Sequence, residues 1–136
     1  TAAEERAPYL YCFDALTGER KWRFDNKRGW WSTPAVVGDR LFACGQDGRC
    51  YCFHAFSGAK LWEHRVGRPI WSSPAVVGNR VLFGAYDAHL HLLDAKDGRE
   101  IWKGAMPGRV ISSPCVVQGH VWVGTATGWF FCLGPA

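Results

Sequence analysis

The sequence predicts an all-β protein made of β-propeller blades, with four antiparallel strands in each blade and a repeat of 40 residues. The first observation is that three residue types recur in register over the whole chain, at Trp22/Trp62/Trp102, Gly18/Gly58/Gly98 and Pro34/Pro74/Pro114. The second is that no insertion or deletion separates the copies, and the third is that short apolar segments alternate with Gly, Asp and Asn turns. A period of roughly 20–50 residues is typical of solenoids, propellers and arrays, and a four-stranded meander of this length is a blade.

One copy of the repeat shows the four strands in order. Its apolar segments, each bounded by a turn, are residues 31–37, 40–45, 49–54 and 60–64. They are short, and Gly, Asp or Ser residues of the kind found in hairpins separate them. We therefore expect an N-terminal tail and a propeller region, with boundaries at 1–8, 9–29 (partial blade), 30–69 (blade), 70–109 (blade) and 110–136 (partial blade).

The strand count predicts an incomplete ring. Segments of the third-strand type occur four times and the other three types occur three times each. Propellers close with about four to eight blades. The chain is therefore expected to be a fragment of a longer propeller or to close by assembling with copies of itself, since unpaired strand edges otherwise aggregate.

The turn before each repeated tryptophan resembles the repeat of the pyrroloquinoline-quinone (PQQ) type β-propellers. The signature of that family is Ala-x-Asp-x-x-Thr-Gly-x-x-x-Trp, followed by a strand of the Ser-Ser-Pro-Ala-Val type. The matching segments are 13–22, 53–62 and 93–102, with the following strands at 32–37, 72–77 and 112–117. The chain departs from the signature where His54 replaces Asp, and where Ser57 and Asp97 replace Thr.

The resemblance implies a structural clasp between neighbouring blades. In this family the tryptophan docks on the glycine turn of the next blade, so the clasp residues are Gly18, Trp22, Gly58, Trp62, Gly98 and Trp102. A tryptophan buries on the order of 150–250 Å² and needs an acceptor for its indole N–H. Glycine allows positive φ and a close approach of the backbone. Asp14 and Asp94 are expected to accept hydrogen bonds from the amides of their turns.

Composition and charge exclude several classes of protein. The chain is 48% apolar and carries eight tryptophans, which favours a packed core over disorder. Its net charge of +4 is spread along the sequence, so we expect no nucleic-acid partner. No apolar run reaches the ~18 residues of a membrane span.

The six cysteines are interpreted as packing residues. Several of them exchange with Leu, Phe or Ala at the same phase of other copies, as a small buried hydrophobe would. A zinc site at Cys44, Cys50, Cys52 and His54 is conceivable, but its spacing is not that of a ribbon or finger. Free thiols favour a reducing compartment, whereas the resemblance also allows a periplasmic location.

No catalytic, cofactor or metal site can be identified in the sequence. The resemblance raises a quinone cofactor, which in the quinoprotein dehydrogenases lies under a vicinal cysteine pair and beside a calcium. Here Tyr51 separates Cys50 from Cys52. The histidines fall at different phases, and the pair His89 and His91 is interpreted as ordinary surface. We therefore expect no catalytic residue, no cofactor and no metal, with a fragment or subunit of a PQQ-dependent dehydrogenase as the alternative.

The best functional candidate is a surface. Cations precede the inner strands beside large aromatics, and a propeller would place them around one rim of its channel. This candidate interaction rim consists of Arg28, Trp30, Trp31, Arg68, Trp71 and Arg109. Since Trp and Arg dominate binding hot spots, the sequence favours a non-catalytic scaffold or protein-binding module. Its partner would be another protein or further copies of the chain, without membrane insertion. The alternative is that these tryptophans pack between blades and that the arginines are solvated.

Overall fold

The computed structural model describes residues 9–134, and the expected tail at 1–8 lies outside the described residues. Thirteen β-strands follow one another along this part of the chain. They are β1 (Tyr9–Phe13), β2 (Arg20–Asp25), β3 (Ala35–Val37), β4 (Arg40–Cys44), β5 (Arg49–His54), β6 (Lys60–Arg65), β7 (Ala75–Val77), β8 (Arg80–Gly84), β9 (His89–Asp94), β10 (Glu100–Ala105), β11 (Cys115–Val117), β12 (His120–Gly124) and β13 (Phe130–Leu133). None of the described residues forms a helix capable of crossing a bilayer.

The strands form four antiparallel sheets, which confirms the predicted incomplete propeller. Two sheets are complete four-stranded meanders, β3–β6 and β7–β10. Within residues 9–134, the first sheet consists of β1 and β2, which are strands of the third and fourth type, and the last consists of β11–β13, without a strand of the fourth type. We call these sheets blades one to four in chain order.

A bulge lies immediately before each repeated tryptophan. The pairing of β5 with β6 joins Cys52 to Trp62 and then Phe53 to Lys60, so one extra residue interrupts β6. The same shift occurs between β1 and β2 and between β9 and β10. Because a bulge bends its strand and re-aims the next side chain, this irregularity turns the tryptophan towards the following blade.

The first strand of each blade is shorter than the sequence predicts. We expected residues 31–37, but β3 begins only at Ala35. Pro34 has no N–H to donate to a ladder. In place of a ladder bond, Ser32 donates its hydroxyl to the carbonyl of Cys44 at 2.7 Å. The segment before the proline is therefore held by this side-chain bond and by an isolated bridge between Trp30 and Gly45, and it is not part of the continuous ladder.

The core lies between successive blades as well as within them. Its largest cluster joins Phe42 and Trp62 of blade two to Phe83 of blade three, with Ile70 from the connection between them. All four side chains are at most 9% exposed. Burial of this kind stabilises by about 25 cal/mol per Å², so neighbouring blades depend on each other for a core.

Candidate functional site

The inner strands lie side by side and define the inner edge of the blades. The backbone N–H of Thr33 donates to the hydroxyl of Ser73 at 2.8 Å. The N–H of Ser73 donates in turn to the hydroxyl of Ser113 at 2.9 Å. These positions are one repeat apart, so a line of hydrogen bonds connects three blades at the residues that follow the predicted rim.

A continuous stack of aromatic rings lies beside this line. The rings of Trp31 and Trp71 are 4.3 Å apart between centroids, and those of Trp71 and Tyr86 are 4.7 Å apart. The guanidinium of Arg109 lies 5.0 Å from the centroid of the Tyr86 ring. Trp31 is 64% exposed. The stack therefore joins blades two and three and presents one open ring face.

The buried end of Trp71 is unusual within this stack. Its indole nitrogen is buried and has no hydrogen-bond acceptor among the described residues. An unpaired buried donor costs about 1–3 kcal/mol. Most buried polar groups find a partner. The contacts that hold Trp71 in the stack are therefore those of its ring with Trp31 and Tyr86.

The other predicted rim residues divide into two groups. Arg28, Arg68 and Arg109 are exposed. Trp30 instead packs inwards, with its ring 5.5 Å from Tyr51 and 6.3 Å from Phe24.

A cleft of about 590 Å³ opens beside the stack, and its lining residues are Arg68, Pro69, Tyr86, Asp87, Ala88 and Arg109. Tyr86 and Asp87 were not predicted. They lie in the turn between the second and third strands, which only the fold brings to the rim.

Two of the repeated tryptophans dock on the next blade. The indole N–H of Trp22 donates to the carbonyl of Ala55 at 2.9 Å, and that of Trp62 to the carbonyl of Ala95 at 3.1 Å. Gly58 has φ of 73° and Gly98 has φ of 75°. A Cβ at either glycine would lie 2.6 Å from the ring of the docked tryptophan. Trp102 is 45% exposed. The described structure thus contains two such contacts, each between consecutive blades.

The two turn aspartates accept hydrogen bonds from the backbone amides of their own turns, as the sequence predicts. Asp14 accepts hydrogen bonds from the N–H groups of Leu16 and Thr17, and Asp94 accepts one from Lys96. These bonds lower the pKa of the Asp14 carboxyl. The turns are therefore preformed by local hydrogen bonds.

The interpretation of His89 and His91 as a surface pair is wrong for His91. This side chain is 2% exposed, and its ring stacks on Phe83 at 5.3 Å. Its Nε2 lies 3.1 Å from Asp87 and its Nδ1 lies 2.8 Å from Glu100. Burial alone would raise the pKa of Asp87, but hydrogen bonds from Lys103 and His91 outweigh burial and lower it. His91 therefore lies between two carboxylates.

The cysteines are free and differ in exposure. Cys44, Cys50 and Cys52 are buried, as packing residues should be, whereas Cys115 and Cys132 of blade four are exposed. Burial raises the pKa of the Cys52 thiol to about 11. The group of possible metal ligands that converges within residues 9–134 contains His64, His91 and Glu100, and no cysteine.

Comparison with known proteins gives the family. The family model described as outer membrane protein assembly factor BamB matches residues 6–129. The chain belongs to this family. No curated protein matches it.

Several solved structures share the fold. BamB from Moraxella catarrhalis superposes with a TM-score of 0.84 at 22% identity, over 95% of this chain and 41% of that chain. The computationally designed Ika4 protein gives 0.82 at 17% identity, over 95% of this chain and 81% of that one. The quinohemoprotein alcohol dehydrogenase ADHIIG from Pseudomonas putida HK5 gives 0.76 at 17%, over 85% and 25%. The chain thus spans about two fifths of the BamB structure it resembles. At these identities the likeness concerns the fold.

Proposed function

We propose that this chain is a non-catalytic scaffold that binds another protein through the aromatic and cationic rim of blades two and three. The observation that carries the proposal is the stack of Trp31, Trp71 and Tyr86 with Arg109 above its end. Tryptophan, tyrosine and arginine are the residues that most often dominate binding energy. The matching family is described as an outer membrane protein assembly factor, and a role in assembly is part of what we propose for this chain.

The charges of the rim favour an acidic partner. Arg68 and Arg109 line the cleft beside Tyr86, and Arg28 is exposed nearer to blade one. Asp87 also lines the cleft, but Lys103 and His91 already pair with it. A partner segment with an aromatic residue to stack on Trp31 and a carboxylate to pair with Arg109 would match this surface. Complementary charge of this kind increases both specificity and association rate.

A peptide selection tests the rim. Displayed peptides would be selected on the purified chain and then titrated against Trp31→Ala and Arg109→Ala. We expect enriched peptides that carry aromatic and acidic residues, and a loss of at least about tenfold in affinity for each variant, which is the more than 1 kcal/mol expected of a hot spot.

Phe56→Ala and Arg99→Ala are matched controls, because Phe56 is 74% exposed on the turn between β5 and β6, and Arg99 is exposed on the equivalent turn of blade three. If the control variants weaken binding as much as the rim variants do, the rim is not the binding surface.

The dehydrogenase alternative has a separate test. Cys50 and Cys52 are fully buried inside blade two, so neither thiol faces a bound quinone. The aspartates in the turns between the second and third strands are also engaged. Asp47 accepts a hydrogen bond from the Tyr51 hydroxyl, and Asp87 pairs with His91. The described residues therefore do not match a quinone site of the dehydrogenase type. Calorimetric titration with PQQ and calcium should show no saturable binding, and calcium-dependent micromolar affinity would favour the enzyme.

We also propose that, where this chain is the complete protein, its copies associate head to tail. Within residues 9–134 blade four has no fourth strand, and β2 of blade one is a strand of that type, which pairs with β1 in the single chain and would pair with β13 of a second copy in the assembly. Phe130 on the edge strand β13 is 70% exposed, and Phe13 on β1 is 56% exposed. Exposed apolar groups along unpaired edges are typical of surfaces that pair.

Light scattering on the purified chain tests this association. We expect dimers or larger closed assemblies, and Phe130→Glu should shift the population to monomer because it places a charge in the joint. Leu61→Glu, at a 46% exposed position on β6 of blade two, should leave the assembly unchanged. A stable monomer of the unmodified chain at tens of micromolar would contradict the proposal.

A further inference from the structure

Three side chains that can ligate a metal meet between blades two and three. His64 lies on β6, the last strand of blade two, whereas His91 lies on β9 and Glu100 on β10 of blade three. One ligand atom of each lies within 4.8 Å of those of the other two. Nδ1 of His91 is 2.8 Å from Oε1 of Glu100, and Nε2 of His64 is 3.9 Å from the same oxygen. Ligand atoms of a tetrahedral zinc ion lie about 3.3 Å apart, given bonds of about 2.0–2.1 Å. The two distances to the Glu100 oxygen, 2.8 Å and 3.9 Å, lie on either side of this spacing.

The contacts of His91 are those of a metal ligand with an outer carboxylate. Its Nε2 lies 3.1 Å and 3.2 Å from the two oxygens of Asp87, which can accept the hydrogen bond of an N–H group at this nitrogen. Its Nδ1 lies 2.8 Å from the Glu100 oxygen, and either a proton or a metal ion held between these two atoms accounts for that contact. Histidine ligands commonly donate their other N–H to a carboxylate in this way.

The preceding blade interface shows that the fold does not require these residues. The residues one repeat earlier are Phe24, Tyr51 and Lys60. There the rings of Phe24 and Tyr51 pack 5.4 Å apart, and the Tyr51 hydroxyl donates to Asp47, which is the counterpart of Asp87. An aromatic contact therefore suffices to join two blades. In the next interface all three positions change together to residues that can ligate a metal.

We propose that His64, His91 and Glu100 bind a divalent transition metal ion of the zinc type, with Asp87 as the partner of the His91 ring. Two imidazoles and one carboxylate suit zinc and its neighbours, whereas calcium and magnesium prefer oxygen ligands alone. The ion would leave at least one coordination position for water. His64 and Glu100 are 21% and 34% exposed, so the site is open to solvent.

The site would link two blades through a bond that the aromatic interface lacks. Its ligands come from both sides of the contact, so a bound ion stabilises the folded arrangement by mass action. This inference stands apart from the proposed rim, because it concerns the interface between β6 and β9–β10 and requires no protein partner.

Zinc titration of the full chain tests the proposal. The experiment uses a Cys115→Ala/Cys132→Leu background, which removes the two exposed thiols and inserts the residues found at the same positions of blade three. We expect saturable binding of one zinc ion per chain and a higher melting temperature in its presence. Cobalt should give visible d–d absorption without thiolate charge transfer.

Two variants convert the site to the residues of the preceding interface. His64→Phe and Glu100→Lys should each abolish saturable binding, and they should fold, since Phe24 and Lys60 occupy those positions in blades one and two. Asp87→Asn should weaken binding by about 10–100-fold, as loss of an outer-shell carboxylate does. His120→Ala, on β12 outside the cluster, is the control and should bind as the background does. Absence of saturable binding to the background protein, or undiminished binding by a folded His64→Phe variant, would overturn the proposal.

Discussion

Replacement of Trp62 by alanine should reduce the free energy of unfolding by about 3–5 kcal/mol, the range for truncating a large buried aromatic. Trp62 is 9% exposed and packs in the largest core cluster, which spans blades two and three. A tryptophan buries on the order of 150–250 Å², which at about 25 cal/mol per Å² gives roughly 4–6 kcal/mol before the alanine is credited. The Ala95 carbonyl also accepts from Arg40. Loss of the indole therefore leaves that oxygen paired, and most of the effect comes from packing.

Trp102→Ala is the matched control, because the same residue at the same phase is 45% exposed. About half of its surface already contacts water, so we expect a loss of about 2–3 kcal/mol before the alanine is credited, roughly half of that for Trp62. Denaturant melts of both variants, analysed with a common slope, give the comparison. Equal losses for Trp62 and Trp102 would refute the reasoning that docking on the next blade, and not the tryptophan itself, supplies the stability.

Three further predictions follow from the same contacts. Gly98→Ala should lower the free energy of unfolding more than Gly78→Ala in denaturant melts, because both glycines have positive φ but only a Cβ at Gly98 meets the Trp62 ring. The difference between the two variants should shrink in a Trp62→Ala background, and an unchanged difference would contradict the contact. Arg40→Ala should cost about 1–3 kcal/mol, since its guanidinium donates to the carbonyls of Ala95 and Lys96, whereas a loss within the ~0.5 kcal/mol of an ordinary surface site would show these bonds to be unimportant. In alkylation followed by mass spectrometry near neutral pH, exposed Cys132 should react well before Cys52, whose pKa is about 11 and whose side chain is buried; equal rates would mean that blade two opens readily.

The repeat allowed most of the fold to be predicted. Each blade is made by local rules: a glycine turn with positive φ, short apolar strands, and an aspartate that accepts from the amides of its own turn. These rules act within about ten residues, so a sequence pattern contains them. The docking of Trp62 on Gly98 crosses blades. It could still be expected, because the same contact occurs at two successive interfaces and the resemblance described it.

Residues that break the repeat were less predictable. Arg40 directly follows the turn at Gly38 and Asp39, and nothing in its sequence context indicates a contact, yet its guanidinium donates to two carbonyls of the next blade. Trp30 and Trp31 are adjacent and equally apolar, but one packs on Tyr51 and the other stacks on Trp71. The direction of each ring depends on the irregular segment before Pro34, in which Trp30 makes an isolated bridge to Gly45 and the residues from Trp31 to Pro34 lie outside the continuous ladder. Sequence periodicity alone therefore predicted where the rim residues occur in the repeat, but it did not predict which of their side chains pack inwards.

The sequence by itself determined the blade, its strands, its turns and the incomplete ring, because these depend on spacing within the repeat. Only the tertiary structure decided which side chains other than the repeated tryptophan clasp meet between blades. His64, His91 and Glu100 occupy three different phases of the repeat, and they converge because β6 of one blade packs against β9 and β10 of the next. Comparison of each phase with its own copies cannot detect such a group. The signal lies in the combination of positions across an interface, where Phe24, Tyr51 and Lys60 give way together to two histidines and a glutamate.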